Sequence, residues 1–308
     1  MNRERTLAWA AWVTICVVWG TTYLAIRIAL ETVPVLLLAG LRWMSAGLVL
    51  AIISVATRRR LPGPRLWASL ALLGFLMNVI GNGFVVWAEQ YVASGLTAVI
   101  VATVPFWSIG IESFLRGGER IRPATLAGLL LGFLGIVVLV WPEVSIGGRQ
   151  GREIVAGVVG LQIACVGWAI GTSYTKRHPV SADPLAASTV QMLFSGTMLL
   201  GLATAGGEWG RLHFTLRSLS AMAYLTLAGS ALAYTAFVHA VRHLPISTVS
   251  LYAYVNPLIA VALGSLLLDE PFSARIVFAS ALVLAGIAMV RGVQSWRVPT
   301  APTRVAGR

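Results

Sequence analysis

The sequence predicts an all-α membrane protein with ten transmembrane helices, arranged as two inverted repeats of five helices. Three observations lead to this prediction: a composition poor in charge, ten apolar runs long enough to cross a bilayer, and matching motifs in the two halves. Of the 308 residues, 57% are hydrophobic and 11% are charged, and the mean hydropathy is +0.82. Soluble domains carry about 25% charged residues, because a soluble fold of this size needs a polar surface in contact with water.

The apolar runs each hold about 20 residues, which is the length that a helix needs to cross the hydrocarbon core. The connections between them are short and often contain Pro, Gly or charged residues. The first run is longer than the apolar region of a secretory signal peptide, so we expect it to be retained as a membrane helix. The predicted spans are 7–30, 35–56, 66–88, 92–115, 123–141, 154–175, 184–205, 218–240, 246–268 and 272–291.

The basic residues predict the orientation of the chain. With the N-terminus in the cytoplasm, 16 of the 23 Lys and Arg residues fall in cytoplasmic segments and 5 in external ones. Because cytoplasmic segments carry the excess of Lys and Arg, both termini are predicted to be cytoplasmic, with a basic tail at 292–308. The net charge of +12 is therefore explained by helix ends facing the cytoplasm, and nucleic acid is not expected as a partner.

Several motifs of the first half recur in the second half at nearly the same spacing. A Gly-Thr-Thr/Ser-Tyr motif begins at Gly20 and again at Gly171, 151 residues later, and Pro105 and Pro257 are 152 residues apart. This spacing indicates a duplicated five-helix unit. Because five is odd, the second copy enters the membrane upside down, as in secondary transporters whose substrate site lies at the repeat interface. The predicted units are 7–141 and 154–291.

Short motifs along nearly the whole chain carry a family resemblance. They are Val18-Trp19-Gly20-Thr21-Thr22-Tyr23, Ala39-Gly40-Leu41-Arg42, Gly81-Asn82-Gly83, Ala102-Thr103-Val104-Pro105 and Tyr252-Ala253-Tyr254-Val255-Asn256-Pro257. Together they resemble the EamA domain of the drug/metabolite transporter superfamily and, within it, the YedA-like exporters of the bacterial inner membrane. The resemblance implies two inverted EamA repeats around a central cavity. It also implies export of amino-acid-like metabolites or drugs by alternating access, with the multi-pass chain in the inner membrane.

Polar and aromatic side chains inside the spans are candidates for lining that cavity, because buried polar groups in membranes usually face protein or water. Arg42 lies about 10 Å into the second span, where it either binds an anionic substrate group or forms a structural pair. Trp19 and Trp168 either line an aromatic cavity or pack at an interface. The candidate substrate-binding residues are Trp19, Tyr23, Arg42, Asn78, Asn82, Trp168, Tyr174, Gln191, Tyr234, Tyr252 and Asn256.

Four further residues are candidates for gating or for coupling to an ion. Glu89 follows the third span and either titrates during transport or is a solvated loop carboxylate. His239 either relays protons or packs at an interface. Pro105 and Pro257 remove backbone hydrogen bonds within their helices, which makes them candidate hinges.

Two ion pairs are predicted at helix ends from a spacing of four residues. The pairs are Arg27 with Glu31 and Glu112 with Arg116, because side chains four residues apart on a helix are neighbours.

No cofactor, metal site or catalytic site is predicted. Cys16 and Cys165 lie in apolar runs without a Cys-x-x-Cys spacing, which argues against a disulfide or zinc. The sequence contains no Gly-rich phosphate loop with Lys-Ser/Thr, no His-Glu-x-x-His and no Gly-x-Ser-x-Gly motif. The expected partners are a small-molecule substrate and the lipid bilayer, the expected energy source is an ion or substrate gradient, and the oligomeric state stays open.

Two other functions compete with export. An importer or exchanger of phosphorylated or nucleotide-linked sugars on the same fold would need several deep basic residues, and only Arg42 and Arg27 qualify. A membrane-embedded enzyme or scaffold would need paired polar catalytic residues at one depth, which the sequence does not show.

Overall fold

The structure is a computed structural model of the chain. It describes residues 3–115, 123–178, 180–244, 249, 251–270 and 272–295. These residues form helices joined by short connections, and no strand occurs among them. Residues 296–308, most of the predicted basic tail, lie outside the described residues.

The helices follow the predicted apolar runs closely. Long apolar runs without internal charge favour continuous helices in a membrane, because a helix satisfies its own backbone hydrogen bonds. In chain order they are α1 (Arg3–Ala29), α2 (Val35–Ala56), α3 (Pro64–Ala88), α4 (Ser94–Phe114), α5 (Pro123–Ile146), α6 (Gly148–Arg177), α7 (Pro184–Ala205), α8 (216–243), α9 (Tyr252–Leu268) and α10 (Ala274–Ser295).

Among the described residues, eight helices are long and apolar enough to cross a membrane, and α9 and α10 contribute shorter apolar stretches. The prediction of an all-helical, multi-span protein is therefore confirmed, whereas an exact count of ten membrane helices is not. The 17 residues of α9 extend about 26 Å at 1.5 Å per residue. The hydrocarbon core is about 30 Å thick, and the predicted start of this span, at 246, lies outside the described residues.

Two helices contain a widened stretch with the hydrogen-bond pattern of a π-helix. The stretches are Gly74–Asn82 in α3 and Leu225–Leu232 in α8. Their first residues are 151 positions apart, the same spacing that separates the repeated motifs. Such stretches are rare and are frequently found at functional sites. The duplicated unit therefore carries the same helical irregularity in both copies.

The closest helix pairs join one half of the chain to the other. In α7, a Cβ added to Gly196 would lie 2.6 Å from the backbone nitrogen of Met44 in α2. In α10, a Cβ added to Gly286 would lie 2.5 Å from the carbonyl oxygen of Gly128 in α5. Small residues permit this approach of two backbones in a membrane helix pair. Each pair joins a helix to the one five positions later.

Contacts at the two ends of the bundle show that successive helices run in opposite directions. We call the end where α1 begins the N-terminal end and the other the distal end. At the distal end, Glu31 after α1 pairs with Arg217 at the start of α8, at 3.2 Å. At the N-terminal end, Arg59 after α2 pairs with Asp183 before α7, at 2.7 Å.

Candidate functional site

Trp19 of α1 is held between α8 and α9. Its indole N–H donates to the carbonyl oxygen of Gly229, at 3.1 Å, inside the widened stretch of α8. Its ring meets Tyr252 of α9 edge-on, with the centroids 5.0 Å apart, and lies 5.5 Å from the ring of Phe237. A widened stretch leaves carbonyl groups open to partners outside the helix, and Trp19 satisfies one of them.

Arg42 of α2 is buried beside the same widened stretch, with 4% of its surface exposed. Its Nε donates to the Oγ of Ser230 at 3.0 Å. Its guanidinium carbon lies 4.8 Å from the ring centroid of Trp43. Among the described residues, no carboxylate lies within ion-pairing distance of it. Because a guanidinium has five N–H donors, Arg42 retains donors for an anionic ligand.

The widened stretch of α3 makes an equivalent contact with α7. Asn78 is buried, and its Nδ2 donates to the Oγ of Ser195 at 3.0 Å. Ser195 in turn donates to the carbonyl oxygen of Gln191, at 3.0 Å. Asn78 and Ser230 are 152 positions apart, so they occupy matching places in the two repeats. Each widened stretch thus bonds to a helix of the other half.

Glu89, directly after α3, is fully buried, and among the described residues neither of its carboxylate oxygens has a hydrogen-bond partner. The guanidinium of Arg27 donates to the main-chain oxygen of Glu89 and not to its carboxylate. Arg42 and Glu270 lie within electrostatic range of the carboxyl. The interpretation of Glu89 as a solvated loop carboxylate is therefore wrong, because α1, α2 and α6 exclude water from this end of α3.

Glu270, after α9, joins two helices at the distal end. Its Oε1 accepts the N–H of Ser94 at 2.7 Å, and its Oε2 accepts the N–H of Gly95 at 3.1 Å. A carboxylate at this position satisfies free N–H groups in the first turn of α4 and complements the helix dipole. A Cβ on Gly264 would lie 2.3 Å from the same Oε2, so glycine leaves room for the carboxylate.

The family follows from comparison with known proteins. The model of the EamA-like transporter family matches residues 7–141 and 155–292. The chain belongs to the EamA-like transporter family. It is therefore a multi-pass membrane transporter, as the motif resemblance implied.

Relatives of this EamA transporter include proteins from bacteria and plants. The chain is 34% identical over 278 residues to the "Uncharacterized inner membrane transporter YedA" of Escherichia coli (strain K12), covering 88% of each chain. It is 28% identical over 290 residues to a WAT1-related chloroplastic protein of Arabidopsis thaliana, covering 92% of this chain and 69% of the relative. A solved crystal structure aligns with a TM-score of 0.63 and 19% identity, over 94% of this chain and 98% of its own. That likeness concerns the fold alone.

Six of the predicted site residues of the EamA transporter come together around α1. They are Trp19, Tyr23, Arg42, Glu89, Tyr252 and Asn256. Tyr23 lies within electrostatic range of Glu89, Arg42 and Tyr252. With its amide nitrogen turned toward them, Asn256 donates to the carbonyl oxygens of Cys16 and Tyr252 at 3.1 and 3.0 Å. We call these six residues the α1 cluster.

A second set lies on α3, α6 and α7. It contains Asn78, Asn82, Trp168 and Gln191. Asn82 donates from its Nδ2 to the carbonyl oxygen of Met77, at 3.3 Å, within the widened stretch. The ring of Trp168 packs over Gly81, where an added Cβ would lie 3.3 Å from it. The contact of Trp168 with Gly81 joins α6 to α3, whereas the Asn82 hydrogen bond lies within α3.

Three predicted residues lie apart from both sets. Tyr174 is near the N-terminal end, where its hydroxyl donates to Ser69 at 3.1 Å and its ring stacks on His178 at 4.5 Å. Tyr234 packs against the hydrophobic core. The ring of His239 lies 4.3 Å from that of His243, and its Nε2 is buried with no hydrogen-bond partner in the part of the chain that the structure describes.

The two candidate hinge prolines differ in their surroundings. Pro105 begins the second part of α4, which is interrupted between Val101 and Val104. Thr103 lies in the interruption, and its hydroxyl donates to the carbonyl oxygen of Ile100 at 2.6 Å. Pro257 lies inside the uninterrupted helix α9. A proline at a helix start loses no backbone hydrogen bond, whereas an interior one does.

The predicted pair of Arg27 with Glu31 is wrong. Helix α1 ends at Ala29, so Glu31 is outside the helix and the four-residue rule does not apply to it. Arg27 instead donates to Glu89, and Glu31 pairs with Arg217.

The partner predicted for Glu112, Arg116, lies outside the described residues. Glu112 pairs with Arg177 at 3.1 Å and with Lys176 at 3.6 Å, both at the end of α6. It also accepts a hydrogen bond from Ser173 at 2.7 Å.

The sequence interpretation missed three residues of this site. Ser230 could have been found from the repeat spacing, because it matches Asn78 at 152 positions. Ser195 gave no signal, because a lone small hydroxyl in an apolar run is common in packed membrane helices. The capping of α4 by Glu270 depends on contacts between residues 175 and 176 positions apart, which no local motif reveals.

Proposed function

We propose that this EamA transporter is a secondary exporter of small amino-acid-like metabolites or drugs across a bacterial inner membrane. The observation that carries the proposal is the buried guanidinium of Arg42, which has spare donors and lies among aromatic side chains in the α1 cluster. The relative from Escherichia coli, named an inner membrane transporter, supports the location.

The proposed architecture is ten membrane helices in two inverted EamA repeats, at 7–141 and 154–291, with both termini cytoplasmic. Close packing of α2 on α7 and of α5 on α10 supports a pseudo-twofold relation between the halves. Under the same relation, the contact between α1 and α9 corresponds to the contact between α6 and α4. The contact between α1 and α8 corresponds in the same way to the contact between α6 and α3. Under the proposed orientation, the distal end is the external end.

The chemistry of the α1 cluster favours a cargo with a carboxylate and an apolar part. Arg42 would bind the carboxylate through the N–H groups that Ser230 does not use. Trp19, Tyr23 and Tyr252 would contact the apolar part. Arg42 is about 10 Å from the distal end of α2, which is a depth at which a binding site is accessible from either side in turn.

Alternating access requires two arrangements of the repeats around one site. The widened stretches of α3 and α8 each join one repeat to the other through side-chain hydrogen bonds. We propose that these stretches, with the break before Pro105 and the interior Pro257, allow the helices to bend between the two arrangements. The ends of the bundle would then open alternately.

The competing sugar-phosphate transporter has less support. A phosphorylated or nucleotide-linked sugar requires several cations at one site. Among the described residues, Arg42 is the one buried cation. Arg27 already donates a hydrogen bond to the main-chain oxygen of Glu89.

The proposal is tested by ligand-induced thermal stabilisation of the purified protein, followed by transport in proteoliposomes. We expect amino acids with apolar side chains to raise the melting temperature of the wild type. Arg42→Ala should abolish this rise, whereas Arg149→Ala, which removes an exposed arginine at the distal end, should keep it. Unchanged affinity of Arg42→Ala for every carboxylate that binds the wild type would overturn the assignment of Arg42. No transport of any compound under any gradient would overturn the exporter itself.

A further inference from the structure

Glu89 differs from the other carboxylates that the structure buries or caps. Glu208, which is also buried, accepts the N–H of Leu37 at 2.9 Å. Glu270 accepts two N–H groups at the start of α4. Both oxygens of Glu89 lack any such donor within the described part of the chain. A buried carboxylate without donors has no structural role that an apolar side chain would not fill better.

The surroundings of the carboxyl combine both signs of charge. The charged and titratable groups that face it are Tyr23 and Arg27 of α1, Arg42 of α2 and Glu270 after α9. Helix α6 also packs against this end of α3, and it brings Gly157 close to Ala88 and Val92. The carboxyl therefore faces charge on the side of α1, α2 and α9, and small apolar contacts on the side of α6.

Neither nearby arginine neutralises Glu89 in this conformation. Arg27 donates to the main-chain oxygen of Glu89, and Arg42 donates to Ser230. An ionised carboxylate that is removed from water without a hydrogen-bond donor or an ion pair is strongly disfavoured. Burial at the distal end therefore favours the neutral, protonated carboxyl of Glu89.

We infer that Glu89 is a proton-binding site, and that a proton and the ammonium group of the cargo compete for its carboxylate. The inference rests on the proposed function, because it names the driving ion and the second recognition group of the same exporter. Arg42 binds the carboxylate of a zwitterionic cargo, and ionised Glu89 binds the ammonium group. A proton arriving from outside forms an O–H bond on Glu89 and displaces the ammonium group, so the cargo leaves.

The return step releases that proton inward. Closure of the distal end then buries the neutral carboxyl. When the N-terminal end opens, water reaches Glu89, and the O–H bond breaks with transfer of the proton to water. Arg27 and Arg42 then stabilise the ionised carboxylate, which is ready for the next ammonium group. One proton moves inward for each cargo molecule moved outward.

The proton site is tested without any cargo by infrared difference spectroscopy of the full-length protein in lipid. We expect the wild type to show, near neutral pH, the carbonyl-stretching band of a protonated carboxylic acid without a strong hydrogen bond. The band should be absent from Glu89→Gln and kept by Glu153→Gln, which removes an exposed carboxylate at the same end. The inference is overturned if the wild type lacks this band, a result that does not depend on the folding of a variant, or if Glu89→Gln retains it.

The coupling is tested in proteoliposomes with a radiolabelled amino acid selected by the thermal screen. For one-to-one exchange, a pH gradient of one unit should raise the steady-state cargo gradient of the wild type about tenfold. Glu89→Gln should lose this response and Glu153→Gln should keep it. A full response in Glu89→Gln overturns the inference while the exporter stands. If the wild type moves no cargo, the proposed function fails, and the infrared titration still decides whether Glu89 binds a proton.

Discussion

At the scale of single residues, buried and partly buried polar groups are of two kinds: those whose polar atoms all have hydrogen-bond partners, and those with atoms that have none. Asp183 belongs to the first kind. Its Oδ1 accepts the N–H groups of Leu185 and Ala186, at 3.0 and 3.2 Å, which caps α7. Partial burial acts against ionisation, but the hydrogen bond and charge of Arg59 and the two N–H groups hold the pKa of Asp183 below its ordinary value. Glu89 belongs to the second kind, since neither of its carboxylate oxygens has a hydrogen-bond partner among the described residues.

Asp183→Ala should therefore destabilise the protein at neutral pH. The loss of a capping carboxylate costs about 1 kcal/mol, which thermal unfolding in detergent would register as a lower melting temperature. Because the folded pKa lies below the unfolded value of about 3.9, the stabilisation is present above that value. It is lost as the pH falls through the folded pKa. The difference between wild type and variant should shrink toward pH 3, and a difference that grew on acidification would contradict the assignment.

At the scale of helices, close contact between backbones sets which residues are tolerated. Gly196 and Gly201 lie on the same helix, α7, but in different surroundings. A Cβ on Gly196 would lie 2.6 Å from the backbone nitrogen of Met44, whereas nothing lies within 4 Å of a Cβ on Gly201. Gly196 therefore lies at the contact between α2 and α7, and Gly201 does not.

Gly196→Ala should destabilise the protein, because the added methyl group forces α2 and α7 apart. Overpacking of this kind costs about 1–3 kcal/mol, and the melting temperature in detergent measures it. Gly201→Ala is the matched control, and it should leave stability unchanged or slightly raised, since alanine favours a helix more than glycine does. Equal melting temperatures for the two variants would show that α2 and α7 do not meet as described.

The helices also show what the sequence can predict and what it cannot. Apolar runs place helices well, because lipid forces every backbone group into a helix. The widened stretches in α3 and α8 were not predicted, since an extra residue per turn leaves no mark on an apolar run. The repeat spacing between Asn78 and Ser230 would have related them once the first was known. The burial of Glu89 depends on packing by three other helices, which one local segment does not reveal.

At the scale of the whole molecule, the orientation of the bundle connects the fold to the direction of transport. The structure places residues 57–63 and 180–183 at the N-terminal end, as the pairing of Arg59 with Asp183 shows. Arg149 lies at the other end, in the first turn of α6. From the excess of basic residues, we propose that the N-terminal end faces the cytoplasm.

Cysteine labelling of intact cells tests this orientation. A membrane-impermeant maleimide should label Arg149→Cys, which replaces an exposed residue at the distal end. It should not label Arg60→Cys until the membrane is made permeable. The native Cys16 and Cys165 are buried, so they contribute little background. Labelling of Arg60→Cys alone in intact cells would reverse the orientation and make the proposed exporter an importer.

We propose that one buried site, centred on Arg42, is exposed alternately to the two sides of the membrane. Counterflow in proteoliposomes measures this most directly: vesicles loaded with unlabelled amino acid are diluted into a trace of the same labelled compound. We expect a transient accumulation of label in the wild type and in Arg149→Ala, and none in Arg42→Ala. Equal accumulation in Arg42→Ala, or uptake in the wild type that equilibrates without any overshoot, would contradict it.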